Sequence, residues 1–275
     1  MASSPVVLPL AKWIAEIDPE LASVRHFRSG RIDRFGRVVG VVEVKGDKLP
    51  AEHQTHHLDS MGRCLRLEKF GEGTQKPINI RLYRYDGFQV AESLWLNEEG
   101  VVWNYHRYTY DTATGLLTWR GEYNWDGKLF YAITSAYSGD GLLESETWTD
   151  GDGKRVKQLS YRYDKKGEIV AEARTDENGN AVGTLEIAYD KQGRVSDRIW
   201  KGPDGKRRSR MHFLYDSQGR ISRIESFGAL DRLTLRQENT YDAVGNIVAE
   251  RWMDAQGKVF REKKAGAGLE GSPGK

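Results

Sequence analysis

Tyr189-Asp190-Lys191-Gln192-Gly193-Arg194-Val195 is followed 26 residues later by Tyr215-Asp216-Ser217-Gln218-Gly219-Arg220-Ile221, the same pattern in nearly the same residues. Working outward, Tyr85-Asp86, Tyr110-Asp111, Tyr163-Asp164 and Tyr241-Asp242 open equivalent segments, and Tyr137 fills the slot before Ser138. Ile32-Asp33 and Leu58-Asp59 keep the pattern with an aliphatic residue in place of tyrosine. The slots at 32, 58, 85, 110, 137, 163, 189, 215 and 241 are 25 to 27 residues apart, so a unit of about 26 residues occurs nine times.

Most units hold a second glycine turn: Trp125-Asp126-Gly127-Lys128, Asp152-Gly153-Lys154, Asn178-Gly179-Asn180, Pro203-Asp204-Gly205-Lys206 and Gln256-Gly257-Lys258. From Gly115 the turn glycines alternate at spacings of 12 and 14 residues as far as Gly219. Asp-Gly and Asn-Gly between Tyr-, Val-, Ile- and Trp-rich runs predict antiparallel hairpins, because the turn residues reach positive φ at little steric cost. In the eighth unit Gly228-Ala229-Leu230-Asp231-Arg232 replaces Asp-Gly-Lys, which predicts a bulged or lengthened connection there. Each unit then supplies two strands of roughly nine residues, about 30 Å long at ~3.4 Å per residue. About eighteen strands exceed the ~10 that a twisted open sheet holds without curling. The fold expected is therefore all-β: tandem antiparallel β-hairpin repeats in a coiled or partly closed sheet.

Two residues after the first glycine of eight of the nine units stand Val38, Cys64, Leu117, Leu143, Ile169, Val195, Ile221 and Ile247, a slot read as buried throughout. Cys64 in that slot is a packed thiol, and a single cysteine excludes an intrachain disulfide. Leu159/Tyr161/Tyr163, Leu185/Ile187/Tyr189 and Met211/Phe213/Tyr215 alternate with period two and read as an inward face. Trp148, Trp200 and Trp252 stand seven residues past the glycine, with Arg174 and Ser226 at the equivalent positions elsewhere, so the pattern assigns them no face.

The Tyr-x-Tyr-Asp-x-x-Gly-Arg-Ile/Val pattern, clearest in residues 161–167, 189–195 and 215–221, resembles the YD repeats of the RHS family. In degenerate form the resemblance covers residues 26–262. Proteins of that family include large polymorphic bacterial toxins whose repeats form a spiralling β-sheet shell around a toxic C-terminal domain. This chain is short and has no further domain after the repeats, so the resemblance implies a cargo-free member.

Outside the repeats, Leu10, Trp13, Ile14 and Ile17 fall at i, i+3, i+4 and i+7 behind Pro9, which predicts a short amphipathic helix in segment 1–25 that caps the array. Residues 263–275 are Gly-, Ala- and charge-rich without periodicity and are expected to form a disordered tail.

Composition narrows the function classes. Of 275 residues 38% are hydrophobic and 30% charged, and no stretch reaches the roughly 20 apolar residues of a bilayer helix. The net charge of +2 argues against nucleic acid as a partner. No secretory leader is read, and the expected compartment is the cytoplasm. Gly-x-Ser-x-Gly, phosphate-loop and dinucleotide motifs are missing, so neither enzyme activity nor a cofactor is expected. His53, His56 and His57 precede Asp59, but on a strand His53 and His56 point to opposite faces and the aspartate belongs to a turn, so no metal site is expected. Asp150-Gly-Asp152-Gly-Lys154 would need a glutamate where Tyr161 stands to close a calcium loop, and a hairpin turn explains it better. The repeated Tyr-Asp aspartates read as Asx caps on turn amides. Between Lys201 and Arg223, seven basic residues meet two acidic ones, a local +5.

These readings converge on a non-enzymatic repeat scaffold that binds a protein partner. By family resemblance it would be an immunity or chaperone-like protein associated with a bacterial toxin. Carbohydrate or cell-wall binding through aromatic platforms is the alternative. The expected contacts are Trp148, Trp200 and Trp252 together with Arg207, Arg208 and Arg210.

Overall fold

The computed structural model describes residues 10–17, 21–43, 53–71, 74–243 and 245–264. The chain divides into two compact units, Met1–Val156 and Lys157–Lys275. The first begins with helix α1 (Leu10–Ile17). Strands β1 (Ser23–Ile32), β2 (Val38–Glu43), β3 (His53–Leu58), β4 (Cys64–Phe70) and β5 (Asn79–Asp86) follow. It continues with β6 (Gln89–Asn97), β7 (Val102–Tyr110), β8 (Leu117–Tyr123), β9 (Leu129–Tyr137) and β10 (Leu143–Asp150). The second is built from β11 (Arg155–Tyr163), β12 (Ile169–Thr175), β13 (Ala181–Tyr189), β14 (Val195–Lys201) and β15 (Arg207–Tyr215). It ends with β16 (Ile221–Phe227), β17 (Leu233–Tyr241), β18 (Ile247–Met253) and β19 (Val259–Lys264).

All pairings are antiparallel. In the second unit each strand pairs with the next, β11 through β19. The first unit runs the same way from β3 to β10, but β1 lies between β2 and β3. A plain meander would place β2 there. The connection from β2 to β3, residues 44–52, lies outside the described residues and is longer than the four-residue turns that hold their strands side by side. The expected helix is present, and Trp13 and Ile17 of its stripe are buried; the side chains of Leu10 and Ile14 lie outside the described residues. β19 runs to Lys264, two residues into the stretch expected to be disordered, and the rest of that stretch, 265–275, lies outside the described residues.

The turns account for the motif letter by letter. Gly193 N–H donates to the Asp190 carbonyl at 3.0 Å, and Asp190 N–H donates to the Arg194 carbonyl at 2.8 Å. This is a four-residue turn followed by a glycine bulge. Only the glycine has positive φ, 78° at Gly193, and the preceding turn residues do not, so the turns are not of the two-residue primed type. The aspartate caps the turn as expected. Asp190 Oδ1 accepts from the Gln192 and Arg194 amides, both at 2.9 Å, and Oδ2 accepts from Arg194 Nε at 2.7 Å. Asp33, Asp59 and Asp216 repeat the pattern, and Asp150 caps the turn that resembled a calcium loop. Arg194 and Arg220 then lie over Tyr215 and Tyr241 of the next unit, at 4.3 and 4.4 Å from the ring centres. Those tyrosine hydroxyls reach back to the carbonyl of the aliphatic slot: Tyr215 to Val195 at 2.7 Å and Tyr241 to Ile221 at 2.9 Å. Tyr110, Tyr137 and Tyr189 do the same to Val90, Leu117 and Ile169.

The eighth unit keeps the common turn length. Asp231 N–H donates to the Gly228 carbonyl, and Asp231 takes the glycine's place at φ 59°. Of the bulged or lengthened connection expected there, the turn is bulged like the others and is not lengthened, because aspartate enters the left-handed region more readily than most residues.

Burial separates the two units. In the first, α1 covers one sheet face through Trp13 and Ile17, packed with Leu82, Leu94, Leu96, Tyr105 and Tyr123. The other face holds Leu58, Cys64, Leu67, Tyr83 and Val90. In the second unit the hydrophobic side chains buried among the described residues are Ala171, Phe213 and Met253. The aliphatic slot is accordingly not buried throughout: Cys64 is inaccessible, whereas Ile247 is 43% exposed on a sheet without a second layer.

Candidate binding surface

Directly opposed residues of an antiparallel pair project from the same side, so the register assigns the faces. In the second unit Leu185 opposes Trp200, which opposes Ser209; Ile187 opposes Arg198, which opposes Met211. Farther along, Ile224 opposes Gln237, which opposes Trp252, which opposes Arg261. Trp200 and Trp252 therefore share a face with Tyr161, Tyr189, Tyr215 and Tyr241. Trp148 opposes Ile133, two residues from Tyr131 on the tyrosine face of the first unit, and stacks on Tyr131 at 5.4 Å. Within the second unit Trp200 and Trp252 belong to separate repeats, four strands apart, so they form a row rather than a cluster.

The three arginines expected beside them take other roles. Arg207 opposes Lys201 and Arg210 opposes Ile199 on the opposite face. Both pair with Asp231 at 3.3 Å, and Arg210 also pairs with Asp197 at 3.3 Å. Arg208, the extra residue of the bulge, turns back to Asp204 at 3.0 Å. That face is an ion-pair lattice. Lys201 meets Glu186, Arg223 meets Glu238, Arg236 meets Glu225 and Arg251 meets Glu262, all within 3.3 Å. The local excess of base thus finds its counter-ions in neighbouring strands that linear sequence does not show. Cations on the tryptophan face include Arg174, opposite Leu159, Arg198, over Phe213 at 5.5 Å, and Arg261, over Trp252 at 4.6 Å. Sequence reading missed Arg198 and Arg261, because only the register reveals which arginine lies opposite Ile187 and which opposite Trp252.

The tyrosine face of the first unit holds a cavity of about 280 Å³ lined by Gln54, Lys69, Asn79, Arg81, Tyr83 and Trp95, with Ile32, Leu67, Ser93 and Tyr108. The register builds it. Gln54 opposes Lys69, which opposes Asn79; Leu67 opposes Arg81, which opposes Trp95; Tyr83 opposes Ser93. Arg81 lies flat on Trp95, 3.8 Å from the ring centre. Gln54, Lys69, Asn79, Arg81 and Trp95 are not letters of the motif, and nothing in their spacing singles them out.

The histidine cluster is structural. His53 stacks on Phe70 at 4.6 Å, His57 pairs with Glu68 at 3.0 Å, and His56 is buried beside Gln54. Burial, then the nearby charges of His57 and Arg25, pushes His56 down to about 4. Burial likewise drives the Cys64 thiol far above its ordinary range, so it is held as the protonated, packed side chain the slot suggested. No described helix is long and apolar enough to cross a membrane.

No protein-family model matches the chain, and no curated protein matches it. Among solved structures it is similar to a chain of the Photorhabdus luminescens Tc holotoxin pore, at 14% identity and a TM-score of 0.41, covering 74% of this chain and 11% of that one. A porin-like protein from Bacteroides uniformis matches at 10% identity and TM-score 0.40, covering 84% and 94%. A TcdB2–TccC3–Cdc42 structure matches at 11% identity and TM-score 0.22, covering 83% and 16%. The chain thus spans about a tenth of the holotoxin chain it resembles. At these scores the likenesses carry no argument about function.

Proposed function

We propose that this chain is a non-enzymatic repeat scaffold that binds a protein partner through the tyrosine face of its second unit. One observation carries the reading. Leu159, Leu185, Ile187, Trp200, Met211, Ile224, Leu235 and Trp252 line one side of a nine-stranded sheet, and among the described residues no buried hydrophobic cluster underlies them. The opposite side is occupied by paired charges. A row of half-buried aromatics interspersed with arginines stacked on rings has the composition of a protein-binding hot spot. The finer reading, an immunity or chaperone-like partner of a bacterial toxin, rests on the resemblance of the motif to YD repeats.

Capture from the native host with the intact chain, followed by titration of the captured partner, tests it. Arg198→Ala, Arg261→Ala and Trp252→Ala should weaken binding, at least one of them by more than about fivefold. Arg236→Ala on the ion-paired face should leave affinity unchanged. Retention of glycans alone would favour the carbohydrate alternative, for which Trp103 and Trp125, 52% and 75% exposed, offer platforms.

A further inference from the structure

The cavity on the tyrosine face of the first unit is lined by hydrogen-bond donors without matching acids. Elsewhere arginines meet carboxylates: Arg37 with Asp33, Arg63 with Asp59, Arg66 with Glu68, Arg84 with Glu92. Arg81, like Arg198 and Arg261 of the second unit, instead rests on a ring: its guanidinium lies on Trp95 and hydrogen-bonds the Tyr83 side chain, and its Nε donates a long bond of 3.4 Å to Asn79 Oδ1. Lys69 has no carboxylate partner among the described residues, and the cavity lining contains neither Asp nor Glu. The acid nearest in sequence, Glu68, projects from the other side of β4, where His57 and Arg66 hold it at 3.0 and 2.6 Å.

The neutral lining residues are also set to donate. With His56 neutral, its Nε2–H donates to Gln54 Oε1 at 3.1 Å, which leaves the Gln54 amide nitrogen as the free end. Asn79 Oδ1 is likewise occupied by Arg81, leaving its amide nitrogen. Tyr83, Leu67, Ile32 and Tyr108 supply the apolar wall.

We infer that this cavity is a binding site for a carboxylate carried on a small apolar or aromatic body, held by Lys69 and Arg81 and oriented by the Gln54 and Asn79 amides. A cavity of about 280 Å³ admits a group the size of one side chain or a small acid, not a polymer. The chemistry is the same whether the carboxylate belongs to a free acid or to the terminus of a peptide. The site belongs to the first unit and is independent of the surface proposed on the second.

The test is calorimetric titration of the full chain with benzoate, its neutral counterpart benzamide, N-acetylphenylalanine and N-acetylphenylalanine amide, with tryptophan fluorescence as a second readout. Both acids should bind and both amides should not. Lys69→Gln, at an exposed position, should weaken the acids at least fivefold while circular dichroism and melting temperature stay unchanged. Arg81→Gln should weaken them further; should that variant unfold, Lys69→Gln alone decides. Tighter binding of N-acetylphenylalanine than of benzoate assigns the site to chain termini, and the reverse order assigns it to free acids. Equal binding of acids and amides, full affinity in Lys69→Gln, or no binding of either acid at millimolar concentration would each overturn the inference.

Discussion

Gly193 isolates one energetic quantity that every repeat depends on. Its φ is 78°, and a Cβ built there would meet nothing within 4 Å. A substitution at this position therefore pays no steric cost against neighbours, only the cost of holding an L-residue in the left-handed region, roughly 1–2 kcal/mol. Against this, any side chain restricts the unfolded chain and returns about 0.4–1 kcal/mol. Valine, branched at Cβ, sits at the unfavourable end, so Gly193→Val should destabilise the second unit by about 1–2 kcal/mol. At the usual unfolding entropy per residue, a unit of this size loses roughly 4 °C per kcal/mol. A fall of about 4–8 °C is expected. Gly193→Asn should cost under about 0.5 kcal/mol, because asparagine visits this region readily; Asp231 already holds φ 59° in the eighth unit. Thermal and urea melts of the three proteins provide the comparison. Equal stability of the valine and asparagine variants would show that the turn does not impose its backbone geometry, and the explanation of the glycine periodicity would fall with it.

Two further expectations concern the motif and the first unit. Tyr215→Phe removes the 2.7 Å bond to the Val195 carbonyl while keeping the ring under Arg194, and should cost about 1 kcal/mol; an unchanged urea midpoint would mean that the tyrosine packs without linking adjacent repeats. The units should also differ in their response to acid. His56 has a folded pKa near 4 against 6.5 when unfolded, so below pH 6.5 the unfolded chain takes up a proton that the folded chain refuses. The first unit should lose stability as pH falls from about 6.5 toward 4. In the second unit the Glu168 and Lys166 amides hold Asp164 below its ordinary value, and the Arg220 amide, outweighing some desolvation, does the same for Asp216. Their contribution is present above the carboxylate range and disappears only as pH falls through the lowered values. Hydrogen exchange read separately for each unit should show the first loosening at pH 5 and the second unchanged there; equal loosening would refute the assignment.

The repeat was legible because its letters do local work. Asp190, Gly193 and Arg194 interact within one turn, and Tyr215 reaches back a fixed 20 residues to Val195, so the geometry leaves an imprint at constant spacing. What depends on the pairing between strands was not legible. The face of Trp200 follows from its opposition to Leu185, and the engagement of Arg210 from Asp197 and Asp231 on other strands. Linear charge counting saw the arginines and not their partners. The cavity proposed to bind a carboxylate is hidden for the same reason. Gln54, Lys69, Arg81 and Trp95 come from four strands, and only the register aligns them. The placement of β1 between β2 and β3 is likewise a matter of cross-strand pairing that the motif spacing does not show.

The central claim is that the repeats reserve one face of the second unit for a protein partner and neutralise the other. Hydroxyl-radical footprinting of the captured complex against the free chain tests it most directly, since Trp200, Met211 and Trp252 report one face and His212 and Phe227 the other. The account expects protection of Trp200, Met211 and Trp252 on binding, with His212 and Phe227 labelled equally in both states. Protection confined to His212 and Phe227, or no change on either face, would contradict it.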